Sequence, residues 1–295
     1  MQDEKIRIFC DLVESQSFSK AADKNFISQS AVSQQLANLE KAFNCQLINR
    51  AKRPIELAPA GELFYAACKD ITRRSEQFRS DLEALRKSTK TRINVAAIYS
   101  IGMHSLPPYI KRFIARYPEV NVHIEYFNSA RIYELVLFGK IDIGLVAVPS
   151  KDPNIEVFHF QDEPLVLVCS PEHPFANLEV IDIHRLSLQK FIAFEKDVPT
   201  RMLIDGILRQ YNVAVQPVME FDNIETVKRA VEINSGISIL PLTAVIQELN
   251  DKTIRSLRFI NEKFLRPTGI IVRKGKMLSE AGRYLIELLR KPKAE

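Results

Sequence analysis

A predicted helix that follows Ser28 carries amide and hydroxyl side chains on one face and few charges. At about 100° per residue its apolar side chains gather on the opposite face, at Val32, Leu36, Leu39 and Phe43. Amides can pair with adenine through two hydrogen bonds, and hydroxyls can donate or accept at any base edge. A merely solvated face would carry more Lys and Glu. The pattern therefore predicts a face that reads DNA bases. The predicted contacts are Ser28, Gln29, Ser30, Ser33, Gln34 and Asn38.

The residues before this helix complete a helix-turn-helix pattern over residues 18–37. SFSKAADKNF has helical spacing, and its paired alanines allow a second helix to approach closely. Ser28 stands where the second helix needs an N-cap. An ordinary helical hairpin is the alternative interpretation. The predicted packing side of the first helix consists of Phe18, Ala21, Ala22 and Phe26.

A basic run follows this pattern. Arg50, Lys52 and Arg53 precede Pro54, and the flanking residues favour two short strands. A basic turn between two strands suits a wing that lies along the phosphate backbone of DNA. The alternative is a solvated basic loop.

A long helix is predicted over residues 59–88. Its apolar residues recur at alternating steps of four and three, which is a heptad seam. Because a lone helix with a narrow apolar stripe needs a partner, we expect this helix to form a dimer, and packing on its own domain is the alternative. The predicted seam consists of Phe64, Cys68, Ile71, Phe78, Leu82 and Leu85, with Ser75 in the same row.

Beyond residue 91 the chain alternates short β-rich runs with amphipathic helices. Two sets in the order βαβαβ predict a mostly parallel sheet in two subdomains with a cleft between them. Ligands in such folds bind beyond the carboxyl ends of the strands. We therefore expect an α/β domain over residues 91–295. Subdomain I is expected over about residues 91–161 and 266–295, and subdomain II over about residues 162–265.

Composition narrows the function classes. The 295 residues have a net charge of +5, which is compatible with a polyanionic partner. The four cysteines are far apart and form no C-x-x-C, which favours reduced, mostly buried thiols over disulfides or a zinc site. The acidic start is unlike a signal peptide, and no run of about 18 apolar residues occurs. A cytoplasmic protein is expected.

Motifs of catalysis do not occur in the sequence. It has no G-x-S-x-G, H-E-x-x-H, P-loop or G-x-G-x-x-G pattern, and its five histidines show no metal spacing. We therefore expect no enzyme activity, no metal and no cofactor. One alternative is a cytoplasmic small-molecule-binding protein or enzyme with an N-terminal oligomerisation arm. Another is a non-specific architectural DNA-binding protein, which would be more basic.

Several motifs together resemble the LysR-type transcriptional regulators. They are SFSKAA at 17–22, SQSAVSQQL at 28–36, LINR at 47–50 and LAPAG at 57–61, with weaker matches such as SPEHP at 170–174 and SGISILP at 235–241. The resemblance covers essentially the whole chain. It implies an α+β multidomain protein with a winged helix-turn-helix, a long linker helix that dimerises, and an effector domain like a periplasmic binding protein. It also implies a homodimer or homotetramer on double-stranded DNA and a small-molecule effector in the cleft.

The resemblance, together with the hydroxyl and backbone N–H groups after the first strand, also gives candidate effector contacts. These are Ser100, Gly102, Met103, His104, Val148, Thr200 and Asn223. Hydroxyl and N–H groups suit a small anion or carboxylate. The alternative is that Ser100 and Thr200 only cap helices.

Three positions depart from the family pattern. Asn25 replaces a leucine, and Phe26 is expected to take over its packing. Asn44 replaces a glycine after the recognition helix, and Asn tolerates the left-handed conformation needed there. Ala58 replaces a threonine cap of the linker helix, offset by Pro59 at the first helical position.

Overall fold

The computed structural model describes residues 2–49, 55–86 and 92–291. The chain divides into two compact units, Met1–Leu85 and Arg86–Glu295. None of the described helices is both long and apolar enough to cross a membrane.

The first unit is helical, with a two-stranded ribbon. Its elements are α1 (Gln2–Ser15), α2 (Phe18–Lys24), α3 (Gln29–Phe43), β1 (Ile48–Asn49), β2 (Glu56–Leu57) and α4 (Pro59–Arg86). The core includes Phe9, Ala22 and Leu36, so the predicted helix-turn-helix packs through its paired alanines. Gly61 lets α4 approach the chain before β1, because a Cβ there would lie 1.9 Å from the Leu47 carbonyl oxygen.

The turn between α2 and α3 packs differently from the prediction. Phe26 is 96% exposed and has a φ of 54°. The expectation that Phe26 packs against the domain is therefore wrong, because this left-handed residue reverses the chain and its ring stays in solvent. Asn44 caps α3 in the left-handed conformation, with φ 48° and ψ 40°, which confirms its predicted role.

Asn25 is buried because its amide completes a polar network. Its Nδ2 donates to Asp11 Oδ2 at 2.7 Å and to the Ala21 carbonyl oxygen at 3.0 Å. Its Oδ1 accepts from Arg7 Nε at 3.1 Å, and Lys24 Nζ lies 2.5 Å from the other Asp11 oxygen. Buried polar groups are tolerated when their partners are present. The network explains a polar residue where the family pattern has leucine.

The start of α4 belongs to the core of the first unit. Cys68 is completely buried there, so it cannot contact a second copy, and its assignment to the dimer seam is corrected. Phe64 is partly buried and packs on Phe9 and Phe43, with ring centroids 5.0 Å apart in both pairs. Phe43 itself is 55% exposed, so the predicted apolar face of α3 is only partly buried at its end.

The rest of α4 leaves apolar side chains in solvent. Ile71 is 48% exposed and Phe78 is 63% exposed. Leu82 and Leu85 lie on the helix at positions whose side chains are outside the described part of the structure. The seam thus divides into a first part that serves its own domain and a second part, from Ile71 onward, whose described apolar residues are exposed.

The second unit is an α/β domain. Its strands are β3 (Arg92–Ala97), β4 (Asn121–Tyr126), β5 (Ile143–Ala147), β6 (Ile155–Cys169), β7 (Val180–Ile181), β8 (Lys190–Phe194), β9 (Gln216–Phe221), β10 (Ser238–Pro241), β11 (Arg255–Phe259) and β12 (Leu265–Arg273). Its helices are α5 (Pro107–Arg116), α6 (Ser129–Leu137), α7 (Pro199–Gln210), α8 (Ile224–Glu232), α9 (Ile246–Asn250) and α10 (Glu280–Arg290), with a π-helical turn at Ile101–Ser105. β3 is parallel to β4 and β5, and β8 is parallel to β9, as the βαβαβ pattern predicts. Subdomain I is built on β3–β5 and subdomain II on β8–β11.

Two strands that are not predicted from the sequence, β6 and β12, join the subdomains. The larger sheet has the order β4-β3-β5-β12-β6-β11-β7, and β10 also pairs with β6. β6 is 15 residues long and is antiparallel to β12, β10 and β11. The expectation of a mostly parallel sheet is therefore wrong at its centre. Pro164 within β6 and Pro267 within β12 hide both strands from a sequence pattern, because proline argues against a sheet interior.

The cysteines are free thiols. Cys10 and Cys68 lie in the core of the first unit, and Cys169 lies in the core of subdomain II. Burial raises the pKa of the Cys169 thiol to about 11. A neutral buried thiol acts as a small apolar core residue, as the sequence predicts for most of the cysteines.

Candidate functional site

The start of α3 exposes hydroxyl and amide groups. Ser28 Oγ accepts from the Ala31 backbone N–H at 3.1 Å and lies 2.8 Å from the Ser30 Oγ. Gln29 Oε1 accepts from the Ser19 hydroxyl of α2 at 3.3 Å. The side chains of these serines and of Gln29 are all exposed. Hydroxyls and unpaired N–H groups at a helix start form a surface suited to phosphate oxygens.

The outer face of α3 presents two amides. Gln34 and Asn38 are exposed one turn apart, and Gln34 Nε2 donates to Asn38 Oδ1 at 3.2 Å. An amide side chain has two N–H donors and one carbonyl acceptor. After this bond, N–H donors on both side chains and the carbonyl oxygen of Gln34 can still bind other partners. Ser33 is partly buried on the flank, and Val32 on the opposite face is completely buried.

The ribbon after α3 has the form of a short wing. β1 pairs with β2 in antiparallel register, with Ile48 opposite Leu57 and Asn49 opposite Glu56. Both strands are two residues long. The predicted basic contacts, Arg50, Lys52 and Arg53, lie between them and outside the described residues.

A cavity of about 670 Å³ lies between subdomains I and II. Its volume is in the range of small-molecule sites. Four of the predicted effector residues lie in its wall, namely Ser100, Val148, Thr200 and Asn223. Ser100 and Val148 follow the carboxyl ends of β3 and β5, which is where ligands bind in open α/β sheets.

Arg266 lies at the inner end of this cavity and is 1% exposed. Its Nη2 donates to Ser100 Oγ at 3.1 Å and its Nη1 donates to Thr200 Oγ1 at 3.3 Å. Its Nε and Nη2 both donate to Glu163 Oε2, the former at 3.0 Å. The guanidinium therefore links a residue of subdomain I to a residue of subdomain II.

Glu163 is the buried partner of this arginine and is 1% exposed. Its Oε1 accepts from the Ser105 hydroxyl at 2.9 Å and from the Thr243 hydroxyl at 2.8 Å. The carboxylate is thus satisfied from both subdomains. Neither Arg266 nor Glu163 is predicted from the sequence, because a pair some 100 positions apart has no sequence signal beyond the register of β6 and β12, in which the two residues face each other.

The helix-cap alternative holds for one of the cavity residues. Asn223 caps α8 by accepting from the N–H groups of Glu225 and Thr226 at 3.1 Å each. Ser100 makes no side-chain cap bond, and Thr200 lies inside α7, whose N-cap is Val198. The hydroxyls of Ser100 and Thr200 are instead held by Arg266.

Three predicted effector residues do not lie in the cavity wall, because the π-helical turn directs them elsewhere. Gly102 packs under Tyr126, whose ring a Cβ at position 102 would meet at 2.3 Å. Met103 is 45% exposed. His104 Nε2 lies 2.9 Å from Glu225 Oε1 of α8. The structure therefore brings together Ser100, Val148, Thr200 and Asn223 in this wall, and does not bring Gly102, Met103 and His104 there.

His104 forms a second polar link between the subdomains. Lys228 is 1% exposed and lies 2.9 Å from Glu225 Oε2 and 2.7 Å from Glu248 Oε1. Burial alone would raise the pKa of Glu225, but hydrogen bonds from His104 and Lys228 outweigh burial and lower this pKa. The Glu225 carboxylate is therefore ionised and pairs with both cations of the cluster when His104 is protonated.

Val148 carries backbone strain in the cavity wall. Its φ is 47°, in a region that β-branched residues rarely adopt. Its N–H donates to the Pro267 carbonyl oxygen at 2.7 Å, which fixes the strained residue to β12. Such conformations persist where the surrounding structure holds them, and they cluster at ligand sites.

Two protein-family models match the chain. The LysR substrate binding domain matches residues 86–292. The bacterial regulatory helix-turn-helix protein model of the lysR family matches residues 4–62. The first match covers the cavity, and the second covers the exposed face of α3.

Known proteins similar to the chain are transcriptional regulators by name. It is 31% identical to the probable RuBisCO transcriptional regulator of Cyanidioschyzon merolae over 86% of both chains. An OxyR mutant of Corynebacterium glutamicum has a similar fold, with a TM-score of 0.61, 24% identity and coverage of 97% of this chain and 91% of that one. The regulatory domain of CcmR from Synechocystis in complex with 2-PG gives a TM-score of 0.62 at 24% identity, over 68% of this chain and 96% of that one.

Proposed function

The chain belongs to the LysR family of transcriptional regulators, and on that premise we propose how its residues act. The outer face of α3 reads the bases of an operator, and the basic wing holds the phosphate backbone. A small molecule binds in the cavity between the subdomains and changes the DNA complex. The regulator acts as a homodimer or homotetramer in the cytoplasm and has neither catalytic step nor cofactor.

This proposal rests above all on the exposed amides of α3. Gln34 and Asn38 present donors and acceptors on a face that no described part of the first unit covers. The family match to a helix-turn-helix makes the major groove of DNA their partner. Ser28, Gln29 and Ser30 at the start of the helix are proposed to contact phosphates and the first base pair, and Ser33 to support them from the flank.

The test of base reading is the substitution Gln34→Ala. We expect a loss of about 1–3 kcal/mol in operator binding, confined to one or two base positions. The measurement is footprinting and binding to a set of operators with single base changes. Gln210→Ala, an exposed glutamine at the end of α7, is the matched control. An unchanged sequence preference for Gln34→Ala would refute the assignment of α3.

The wing makes a different prediction. Arg53→Ala should weaken binding to every DNA sequence and lower the slope of log affinity against log salt by about one unit, since one phosphate contact is lost. A loss restricted to one operator sequence would contradict a backbone role. Arg50 and Lys52 are proposed to act in the same way.

Dimerisation is proposed through the second part of the α4 seam. Ile71 and Phe78 are exposed on a helix that has nothing else to bury them in the described part of the first unit. Phe78→Asp should lower the mass measured by sedimentation. Leu63, which is 77% exposed and off the seam, gives the control Leu63→Asp. An unchanged mass for Phe78→Asp would contradict the seam.

Effector binding is proposed at Ser100, Val148, Thr200 and Asn223, together with Arg266. These residues surround one cavity and come from both subdomains. A ligand that contacts both walls stabilises the closed arrangement over an open one, so binding shifts a conformational equilibrium. Gly102, Met103 and His104 lie outside the cavity wall, and we propose no effector contact for them.

A further inference from the structure

The charges around the cavity are unbalanced. Arg266 is the cation of the wall, and its guanidinium is already paired with the buried Glu163. Two carboxylates, Asp197 and Asp222, also lie in the wall, and no lysine or histidine joins them there among the described residues. The cavity with its ion pair therefore carries an excess of negative charge.

Both carboxylates are exposed and lie just before the start of a helix. Asp197 precedes the N-cap of α7, and Asp222 precedes the N-cap of α8. Helix N-termini stabilise nearby negative charge. Asp222 accepts from Asn223 Nδ2 at 2.8 Å, whereas Asp197 has no hydrogen-bond partner within the described ranges. Each carboxylate oxygen can accept more than one hydrogen bond.

Near Arg266 the cavity wall has hydroxyl donors, in contrast to the carboxylate acceptors Asp197 and Asp222. Ser100 Oγ and Thr200 Oγ1 each accept from Arg266, so each hydroxyl keeps its own hydrogen to donate. Both residues are nearly buried, at 4% and 3% exposure. Neither hydroxyl donates to another group in the described part of the chain. Both hydroxyls can therefore donate to an acceptor such as a carboxylate.

From these two features we propose that the effector is a zwitterion, namely an α-amino acid with an apolar side chain. Its carboxylate accepts from Ser100 and Thr200, and its ammonium group donates to Asp197. Asp222 adds to the attraction for that ammonium group. This inference rests on the proposed function of the cavity as the effector site.

The length of chain between donors and acceptors favours this arrangement. Asp197 lies just before the N-cap of α7, Thr200 is the second residue of that helix, and both line the same cavity, so one ligand in the cavity can contact both. An α-amino acid carries its two charged groups on one carbon atom. Charge-assisted hydrogen bonds to both groups are stronger than neutral ones.

The charge balance also argues against a simple anion. A carboxylate without an amine would add a negative charge to a wall that already has two exposed carboxylates, and it would leave Asp197 without a partner on the ligand. A zwitterion adds no net charge. The apolar part of the wall, which includes Phe127, Phe194 and Leu203, provides a surface for the side chain.

The experiment is a calorimetric titration of the full chain with the proteinogenic amino acids and matched analogues. For phenylalanine the analogues are hydrocinnamate, which lacks the amine, and phenethylamine, which lacks the carboxylate; for leucine they are isocaproate and isoamylamine. We expect at least one amino acid to bind, and both of its analogues to bind about tenfold more weakly or worse, as for loss of one charged hydrogen bond. Equal binding by the analogue without the amine, or no binding by any amino acid, would overturn the proposal.

Variants of the cavity wall test separately which class of ligand binds and whether it binds in this cavity. Asp197→Asn should weaken the amino acid about tenfold and leave its analogue without the amine unchanged or tighter, whereas Thr200→Val should weaken both. Asp251→Asn, an exposed aspartate outside the cavity wall, is the control and should change neither.

Benzoate and shikimate are titrated as simple carboxylates. One outcome would refute the zwitterion but support the effector site. In that outcome a simple carboxylate binds, no amino acid binds, and Thr200→Val abolishes binding of the carboxylate. If an amino acid binds with equal affinity to wild type and Thr200→Val, the cavity is not its site and both proposals fail.

Discussion

The face of α3 and the cavity of the second unit are both rich in polar groups. Those of α3 are exposed and have hydrogen-bonding capacity left, whereas the central polar groups of the cavity are buried and bonded to one another. On α3, Gln34 and Asn38 are exposed and keep donors and acceptors for an outside partner. In the cavity, Arg266 and Glu163 are buried and bonded to each other and to hydroxyls. Exposed polar groups cost the fold little, whereas buried ones are stable only as a complete set. Single substitutions at the first site should therefore cost little stability, whereas removal of one partner from the second should cost much more.

The largest loss of stability is expected for a variant that breaks the buried network of Arg266 and Glu163. Glu163→Gln should lower the free energy of unfolding of the second unit by about 3–5 kcal/mol, because Arg266 is left as a buried charge without a counter-charge. Urea denaturation measures the loss. Glu134→Gln, which breaks an exposed pair with Arg131, is the control and should cost less than about 1 kcal/mol. Similar losses for both variants would contradict the distinction.

A double variant tests whether the unpaired charge is the cause of the lost stability. Glu163→Leu with Arg266→Met removes both charges, so it should recover much of the stability that Glu163→Gln loses. It should also remove the hydrogen bonds by which Arg266 orients the Ser100 and Thr200 hydroxyls, and should therefore weaken effector binding. A double variant as unstable as Glu163→Gln would show that the charges are not the cause.

An intermediate effect is expected in the first unit, which has its own buried set. Asn25→Ala removes the donor to Asp11 and the acceptor of Arg7, and should cost about 1–3 kcal/mol. Asn38→Ala on the exposed face is the matched control, within about 0.5 kcal/mol of wild type. Thermal unfolding of the two variants compares them directly, and equal stabilities would contradict the role of the network.

Ser28→Ala should have a smaller effect on stability and a separate effect on binding. The loss of the N-cap bond to Ala31 should cost about 1 kcal/mol of unfolding free energy. Ser28→Asp restores a cap acceptor and should recover stability, but its negative charge should weaken DNA binding across all sequences. Recovery of both properties would contradict the phosphate contact proposed for Ser28.

The smallest effect concerns acid stability. The pKa of Glu225 lies below its usual value of 4.5. A carboxyl with a lowered pKa in the folded state contributes stability that is present above pH 4.5 and is lost as the pH falls through the folded-state pKa. Glu225→Gln should therefore be less stable than wild type at pH 7, and the gap should close on acidification. A gap that is constant with pH would contradict the ionised pair.

The same contrast explains what the sequence could predict. The α3 face lies within a single helix, so periodicity and residue type were sufficient to identify it. The cavity wall is assembled from separate stretches of the chain, and only residues at the ends of predicted strands, such as Ser100 and Val148, could be found by position. Arg266 could not, because its partner Glu163 depends on a strand register that Pro164 and Pro267 conceal. The prediction that Phe26 packs against the domain was wrong for a local reason, since hydrophobicity does not reveal a left-handed backbone.

The paired strands β6 and β12 determine how the cavity can change its width. They run side by side, and the Leu165 N–H donates to the Phe264 carbonyl oxygen at 2.9 Å where the chain passes from one subdomain to the other. A hydrogen-bonded ribbon resists bending more than a single loop does. We therefore expect a molecule that draws the two walls together to bend this ribbon, and we expect the bent ribbon to favour reopening of the cavity when the molecule leaves.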